Sequence, residues 1–408
     1  MLTYPGSGDE SKCCGCRACE QACPAGAITM EPNAEGFLYP VLREGACLRC
    51  GLCERACPVV NRPAAAPPRK IYAVQHRDGA LLAKSSSGGA FRLLADHVID
   101  RGGCVAGCVW NQRFEPVFRL AYTHDGLAPM QGSKYLSSDT GGIYPQIRKE
   151  LETGRLVLFT GTPCQCAGLL AFLGRPYETL LTADFLCHGV PSQQIFNSRL
   201  AAIRQENKIA VSPEAPQGIT SYLFRDKEKR GWGLMTSYTW TRNGRTVKRY
   251  AAGKTDPYEM GFLNGYFNRY SCYSCPFRGR GRVTDFTFCD FWGVERHHPE
   301  IDVHRGVSAL ALNTPVAEEM FERIKGKALS VETAAEYVAE ENPAILHGGR
   351  EKLPELRKSI YELIGSSSWR SVERTYLSVK HRWLWTAWYA LPLPCQEGMS
   401  RLLRRRRL

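Results

Sequence analysis

Two stretches of the chain carry cysteines at one spacing. "CCGCRACEQACP" sets Cys13, Cys16, Cys19 and Cys23 ahead of Pro24, and "CLRCGLCERACP" sets Cys47, Cys50, Cys53 and Cys57 ahead of Pro58. Each reads C-x2-C-x2-C-x3-C-P. Three thiolates on one tight loop reach three irons of a four-iron cube. The fourth lies on the following helical turn and points to the neighbouring cube. The spacing therefore assigns Cys13, Cys16, Cys19 and Cys57 to one 4Fe–4S cluster, and Cys47, Cys50, Cys53 and Cys23 to a second. Zinc or disulfides are the plain alternative, and the doubled spacing with both prolines argues against them. Cys14 is left over.

A second group of cysteines stands at predicted strand ends and loops. Cys164 lies in "TGTPCQCAG", directly after the apolar run "RLVLF". Cys187 closes "DFLC", and Cys272 and Cys275 form "CYSCP". Neighbouring parallel strands bring their C-terminal ends together, where open sheets place their sites. Four thiolates from three loops suit a third 4Fe–4S cube, and they suit tetrahedral zinc as well. On spacing alone, scattered buried cysteines fit equally. Two adjacent clusters relay single electrons and rarely act on a substrate, so the use of those electrons is expected beyond residue 61.

The elements that must position these residues are legible in outline. The chain has 408 residues, 23% charged and 44% hydrophobic, an ordinary globular balance. Nine of its 18 cysteines fall in the first 61 residues. The Pro- and Ala-rich "NRPAAAPPRK" then reads as a semi-rigid spacer. Beyond it, strands are predicted at "IYAVQH", "CVAGCVW", "VFRLAY", "RLVLFT", "LLTADFLC" and "GVSALALNT". Helices are predicted at "AFRLLADHVIDRGG", "IYPQIRKELETG", "AGLLAFLG", "PSQQIFNSRLAAIRQEN" and "AEEMFERIKG". "MTSYTWTRNGRTVKRYA" reads as a hairpin turning at Asn243-Gly244. Alternating strands and helices argue for an α/β core. The fold class expected is α+β: a small ferredoxin-like domain, then a larger α/β domain with an antiparallel addition. The boundaries are 1–61, a linker at 62–69, a main domain at 70–345 and a helical, basic tail at 346–408.

Residues 11–60 resemble a dicluster ferredoxin. "SSSGGAFRLLADHVIDRGG", "GSKYLSSD", "VLFTGTPCQCAGL", "DFLCHGVPS", "FRDKEKRGWG", "CYSCPF" and "RVTDFTFCDFWG" together resemble the coenzyme F-420 hydrogenase/dehydrogenase beta-subunit family over about residues 70–315. Members of that family are flavoproteins carrying FAD beside a 4Fe–4S cluster. They include deazaflavin-reducing hydrogenase subunits, deazaflavin dehydrogenases and chlorophyll-pathway reductases, many with a ferredoxin module in front. The resemblance implies that Cys164, Cys187, Cys272 and Cys275 ligate the third cluster. Cys166 and Cys289 depart from the family pattern and read as inert small hydrophobes.

The resemblance also implies a flavin near Ser86, Ser87, Gly88 and Gly89. There, hydroxyls and free backbone N–H groups precede a helix, and glycines allow a pyrophosphate to approach. Local sequence alone reads as a plain capped helix. "GSKY", from Gly132 and Ser133 to Lys134 and Tyr135, is the second flavin segment. Lys134 is a candidate for neutralising a phosphate or an anionic reduced flavin. His188 is a candidate proton donor, against the commoner reading of a structural histidine. Phe224–Lys227 with Lys229 and Arg230, and "RGRGR" at Arg278–Arg282, offer positive charge to an acidic substrate or partner, or are solvated loops.

The formal net charge is +13, of which +7 falls within residues 368–408, with nine Lys and Arg against two Glu. A charge gathered in the tail weakens a nucleic-acid reading of the main body. Trp383, Trp385, Trp388 and Tyr389 precede the closing "RLLRRRRL", a pattern that can lie on an anionic membrane surface without spanning it. "MLTYPGSGDE" lacks the features of a secretory signal, so clustered cysteines and a reducing cytoplasm are expected together. The expected function is a cytoplasmic iron–sulfur flavoprotein oxidoreductase. It would serve a redox partner protein and a small organic hydride donor or acceptor such as coenzyme F-420. The rivals are a non-catalytic electron-transfer subunit and a nucleic-acid-binding iron–sulfur protein.

Overall fold

The structure is a computed structural model that describes residues 8–213, 215–348, 352–378 and 382–391. The cysteine-rich front folds around one antiparallel pair, β1 (Ile28–Pro32) and β2 (Leu38–Leu42), with Ile28 opposite Leu42. Phe37 and Tyr39 turn inward from this pair and are buried. Single-turn helices at Ala18–Gln21 and Leu52–Arg55 follow the two cysteine loops.

The body is built on β3 (Lys70–His76), β4 (Cys104–Trp110), β5 (Pro116–Ala121), β6 (Val157–Thr160), β7 (Leu180–Phe185), β11 (Phe286–Asp290), β12 (Ser308–Leu312) and β13 (Ala328–Thr333). They form one eight-stranded sheet in the order β13-β3-β12-β11-β7-β6-β4-β5. The centre, β4-β6-β7-β11, is parallel. Both flanks are antiparallel. Central strands covered on both faces read as nearly continuous apolar runs, as "VLFT" does. A second sheet holds β8 (Ser221–Leu223), β9 (Met235–Arg242) and β10 (Arg245–Ala252). Its hairpin turns at Asn243 and Gly244, both left-handed, as the Asn-Gly dipeptide predicts. The fold is α+β, a small ferredoxin-like unit joined to a larger mixed-sheet body.

The structure refines three expectations. The helix read at "AGLLAFLG" begins earlier, at Pro163, because Thr162 and Gln165 form a capping box. Cys164 and Cys166 thus sit on a helical first turn. The spacer is pinned: Ala66 and Arg282 exchange backbone hydrogen bonds, Ala66 donating at 3.0 Å and Arg282 at 2.8 Å. The tail is partly built into the body. Helices Leu356–Ser366 and Trp369–Tyr376 bury Ile360, Tyr361, Trp369 and Val372 in an aromatic core with Phe196, Tyr222, Phe224 and Tyr258. In the helix Arg382–Ala390, Trp383 and Leu384 are exposed, while Tyr389 lies under Arg230. Lys380, Cys395 and "RLLRRRRL" lie outside the described residues. No helix among the described residues is long and apolar enough to cross a membrane.

Candidate metal centre

Both cysteine loops of the front module adopt the same backbone. The residues on either side of the middle cysteine are left-handed: Gly15 and Arg17 around Cys16, Arg49 and Gly51 around Cys50. Each such pair curls its loop, and the last cysteine of the triplet falls on the following helical turn. Cys13, Cys16, Cys19 and Cys57 line one small cavity of about 30 Å³, together with Cys14 and bordered by Met30, Pro40, Pro58 and Val59. The first four are the cysteines that the crossed spacing groups together. Burial, and then the nearby Cys13 and Cys57, push the Cys19 thiol well above its ordinary range. The other set lies nearer solvent. Cys50 is exposed, and Cys23, Cys47 and Cys53 are half-buried. Backbone N–H groups already aim at sulfur here, from Ala27 to Cys23 Sγ at 3.2 Å and from Arg49 to Cys47 Sγ at 3.4 Å. Such bonds to sulfur lower the electron density on a bound cluster.

Three segments of the body bring the third set together. Cys164 stands on the first turn of Pro163–Leu173, with Thr162 Oγ1 3.1 Å from its Sγ. Cys187 follows β7, the strand beside β6. Cys272 lies in the 3-10 turn Tyr270–Ser274, which Cys275 ends. The strap carrying this turn is tied alongside Cys187. Asn268, wholly buried, donates to the His188 carbonyl at 2.9 Å, and Arg269 N–H donates to Val190 at 3.0 Å. Gly189 is required there, since a Cβ would stand 2.3 Å from the Asn268 amide.

The four thiols feel one another. Burial, then Cys272 and Cys164, push Cys187 well above its ordinary range. Burial, then Cys275 and Cys164, push Cys272 up to about 12. Burial and Cys164 push Cys275 up to about 11. Clustered, desolvated thiols are poor anions until a cation joins them, which is the chemistry of a metal site. Among the described residues, no three His, Cys, Asp or Glu side chains converge tightly enough for a single metal ion. A four-iron cube accepts its thiolates more widely spaced.

Cys14, without a role in the spacing, connects the two regions. It lies between Cys16 in the module and Cys164 in the body, near enough to both for each to act on its thiol. Helix Pro163–Leu173 is in close contact at the same place: a Cβ on Gly168 would meet Cys16 Sγ at 3.0 Å. Cys166 is fully buried with its Sγ toward the Ala183 carbonyl, and Cys289 pairs with Ala309 inside the sheet, as small hydrophobes do.

The two segments read as flavin-binding also meet. Ser133 donates to Ser86 Oγ from its N–H at 2.8 Å and from its hydroxyl at 3.0 Å. The glycines beside them serve the sheet. Gly88 N–H donates to Ser308 Oγ, a Cβ there would lie 2.0 Å from the Val74 carbonyl, and Gly89 is left-handed. Ser87 donates to the Val307 carbonyl. Two lysines flank the loop. Lys134 Nζ donates to the carbonyls of Pro129, Gln131 and Gly132, and burial lowers its pKa. Lys227 Nζ reaches the carbonyls of Leu82, Ser87 and Arg305. Burial and then Arg225 pull it down to about 7. Carbonyl oxygens alone leave both ammonium groups short of negative charge, which suits a phosphate-bearing ligand. Tyr135 stacks on Phe262 and accepts a hydrogen bond from Arg225. His188 is exposed.

Several charges read from sequence as available are spent within the fold. Arg225 pairs with Asp290 at 2.7 Å, and Arg282 of "RGRGR" pairs with Asp184 at 2.6 Å in the core. Sequence reading missed the stacked Trp232 and Trp292, 4.0 Å apart with Arg225 over Trp292. Their "GWG" and "FWG" settings were the available signal. It also missed Arg269, for which the sequence offers none.

Residues 12–61 match the family model of the 4Fe-4S dicluster domain. Residues 154–336 match that of the C terminus of the beta subunit in coenzyme F420 hydrogenase/dehydrogenase. No curated protein matches the chain. Among solved structures, the chain is similar to one from the xenon-derivatised F420-reducing [NiFe] hydrogenase complex of Methanosarcina barkeri. The identity is 14%, the alignment covers 76% of this chain and 92% of that one, and the TM-score is 0.37.

Proposed function

We propose that this chain, which joins a dicluster 4Fe–4S domain to the C-terminal region of a coenzyme F420 hydrogenase/dehydrogenase beta subunit, is an iron–sulfur flavoprotein oxidoreductase. Cys13, Cys16, Cys19 and Cys57 would hold one cluster, and Cys23, Cys47, Cys50 and Cys53 a second. Cys164, Cys187, Cys272 and Cys275 would hold a third. Ser86 and Ser133, with Lys134 and Lys227, would receive the phosphates of FAD, while Tyr135 borders its ring system. When bound, the clusters carry single electrons and the flavin exchanges them for a hydride equivalent with coenzyme F-420 or another organic partner.

The remaining work belongs to this chain's own side chains. Backbone N–H groups of Ala27, Arg49 and Gly189 donate to the sulfurs of Cys23, Cys47 and Cys187 and would orient them toward a cluster. Lys227 Nζ, balanced near neutrality, is placed to hold or release a proton as a neighbouring ligand changes charge. The aromatic Trp232–Trp292 stack lies against Arg225 and helps fix its position.

The observation that carries this reading is the junction at Cys14, which lies between one cysteine of each of two sets, where Gly168 of the Cys164 helix packs against Cys16. A module that merely decorated the body would have no reason to place its cysteines against Cys164. A redox protein is the fitting partner on the exposed Cys50 side. The exposed Trp383 and Leu384 suit peripheral contact with a membrane. Turnover tests the catalytic claim: the anaerobically purified chain, given reduced ferredoxin and coenzyme F-420 or a panel of organic acceptors, should reduce one of them. Electron uptake without turnover on any acceptor would leave an electron-transfer subunit.

A further inference from the structure

Among the described residues six arginines are buried, and five of them face a carboxylate. Arg92 pairs with Asp96, Arg199 with Asp256, Arg225 with Asp290, Arg282 with Asp184, and Arg357 with Glu35. Arg269 is the sixth. Its residue is 1% exposed, and among the described residues no carboxylate contacts it. A buried cation without an anion is costly, and proteins retain one only where something supplies the missing charge.

The position of the guanidinium shows where that charge would be. Arg269 begins on the strap of Cys272, whose N–H donates to the Arg269 carbonyl at 2.9 Å, and its side chain crosses into the front module. Nε donates to the Cys13 carbonyl at 2.7 Å, and Nη2 donates to the Leu38 carbonyl at 2.8 Å. Nη2 also lies 3.8 Å from Cys13 Sγ. The group rests 3.9 Å from the centre of the Tyr39 ring. Gly15 leaves room for it, since a Cβ there would stand 2.8 Å from Nη1.

We propose that Arg269, anchored beside Cys272, is the internal counter-ion of the first ferredoxin cluster, setting its reduction potential above that of the outer cluster on Cys47, Cys50, Cys53 and Cys23. The inference rests on the three-cluster reading above. Four thiolates on a cube leave it anionic, and each electron added deepens that charge. A fixed cation with a hydrogen bond to sulfur therefore raises the potential. The outer set lies nearer solvent, and the arginines beside it, Arg49 and Arg55, are exposed to water that screens their charge.

The test is a redox titration of full-length Arg269→Gln, followed by electron paramagnetic resonance. Iron content is measured alongside, to show that the clusters are loaded. The signal of the first ferredoxin cluster is expected to titrate at a more negative potential than in the wild type, with the outer cluster unmoved. Unchanged potentials in a loaded variant would overturn the proposal. If Arg269→Gln does not load, Arg269→Lys is read instead, because it keeps the charge but moves it off Cys13. A potential below wild type then supports the proposal, and one equal to wild type overturns it. The wild-type iron count separates this from failure of the three-cluster reading, since about eight irons would remove the Cys164 cluster whatever Arg269 does.

Discussion

Cys187 is a sharp point at which to probe the third set, because it lies at the end of a body strand and its backbone neighbours are fixed by Asn268 and Gly189. Cys187→Ser is expected to lower bound iron from about 12 to about 8 per chain and to leave the dicluster signals intact. Iron unchanged by the substitution would assign Cys187 to the plain core. Glu259 offers a different test at this scale. Burial, and then Asp256, push its carboxyl up to about 8, so the folded chain holds a proton that the unfolded chain releases. A raised folded pKa contributes stability in acid that is lost as pH rises through about 8. Glu259→Gln keeps the shape without the proton. The melting temperature of the variant should therefore fall less than that of the wild type between about pH 6 and about pH 8.5; parallel curves would contradict the assignment. The cysteines were legible because cluster chemistry fixes their spacing in a short loop. Arg269 was not, because its partners are brought in from residues more than two hundred positions away.

At the level of elements, Gly88 separates two readings of "SSSGG". As a flavin loop, it would tolerate a methyl group and lose only cofactor. The strand packing says otherwise, since a Cβ at Gly88 would stand 2.0 Å from the Val74 carbonyl and 2.4 Å from Ser308 N. Backbone cannot yield as a flexible side chain does, so Gly88→Ala is expected to abolish soluble, cooperatively melting protein. A folded variant that merely lost flavin would show that Gly88 serves the ligand and not the sheet. The central strands and the long helices were readable from apolar runs and period. β11 and β13 were not: "FTFCD" is a short run quoted only as a motif, and β13 is a half-exposed edge strand with little alternation. β2 carries Pro40, which argues against a strand in any sequence reading. The early start of helix Pro163–Leu173 did have a signal, the Thr162 and Gln165 capping box, but two cysteines and a proline look like loop.

Over the whole molecule, the front module is built into the body. Arg357, 1% exposed, clasps Glu35 with both nitrogens, Arg17 reaches Asp139 at 2.6 Å, and Thr140 donates to the Cys16 carbonyl. Three cysteine sets then run from the exposed Cys50, through the Cys13 cavity, to the Cys164 segment. This arrangement follows from contacts between distant parts of the chain, which spacing within one loop cannot reveal. The measurement that bears most directly on it is the content of iron, acid-labile sulfide and flavin per chain after anaerobic purification. About 12 irons with matching sulfide and about one FAD are expected. About eight irons without flavin would contradict the third cluster and the oxidoreductase reading together, and would leave only the front module.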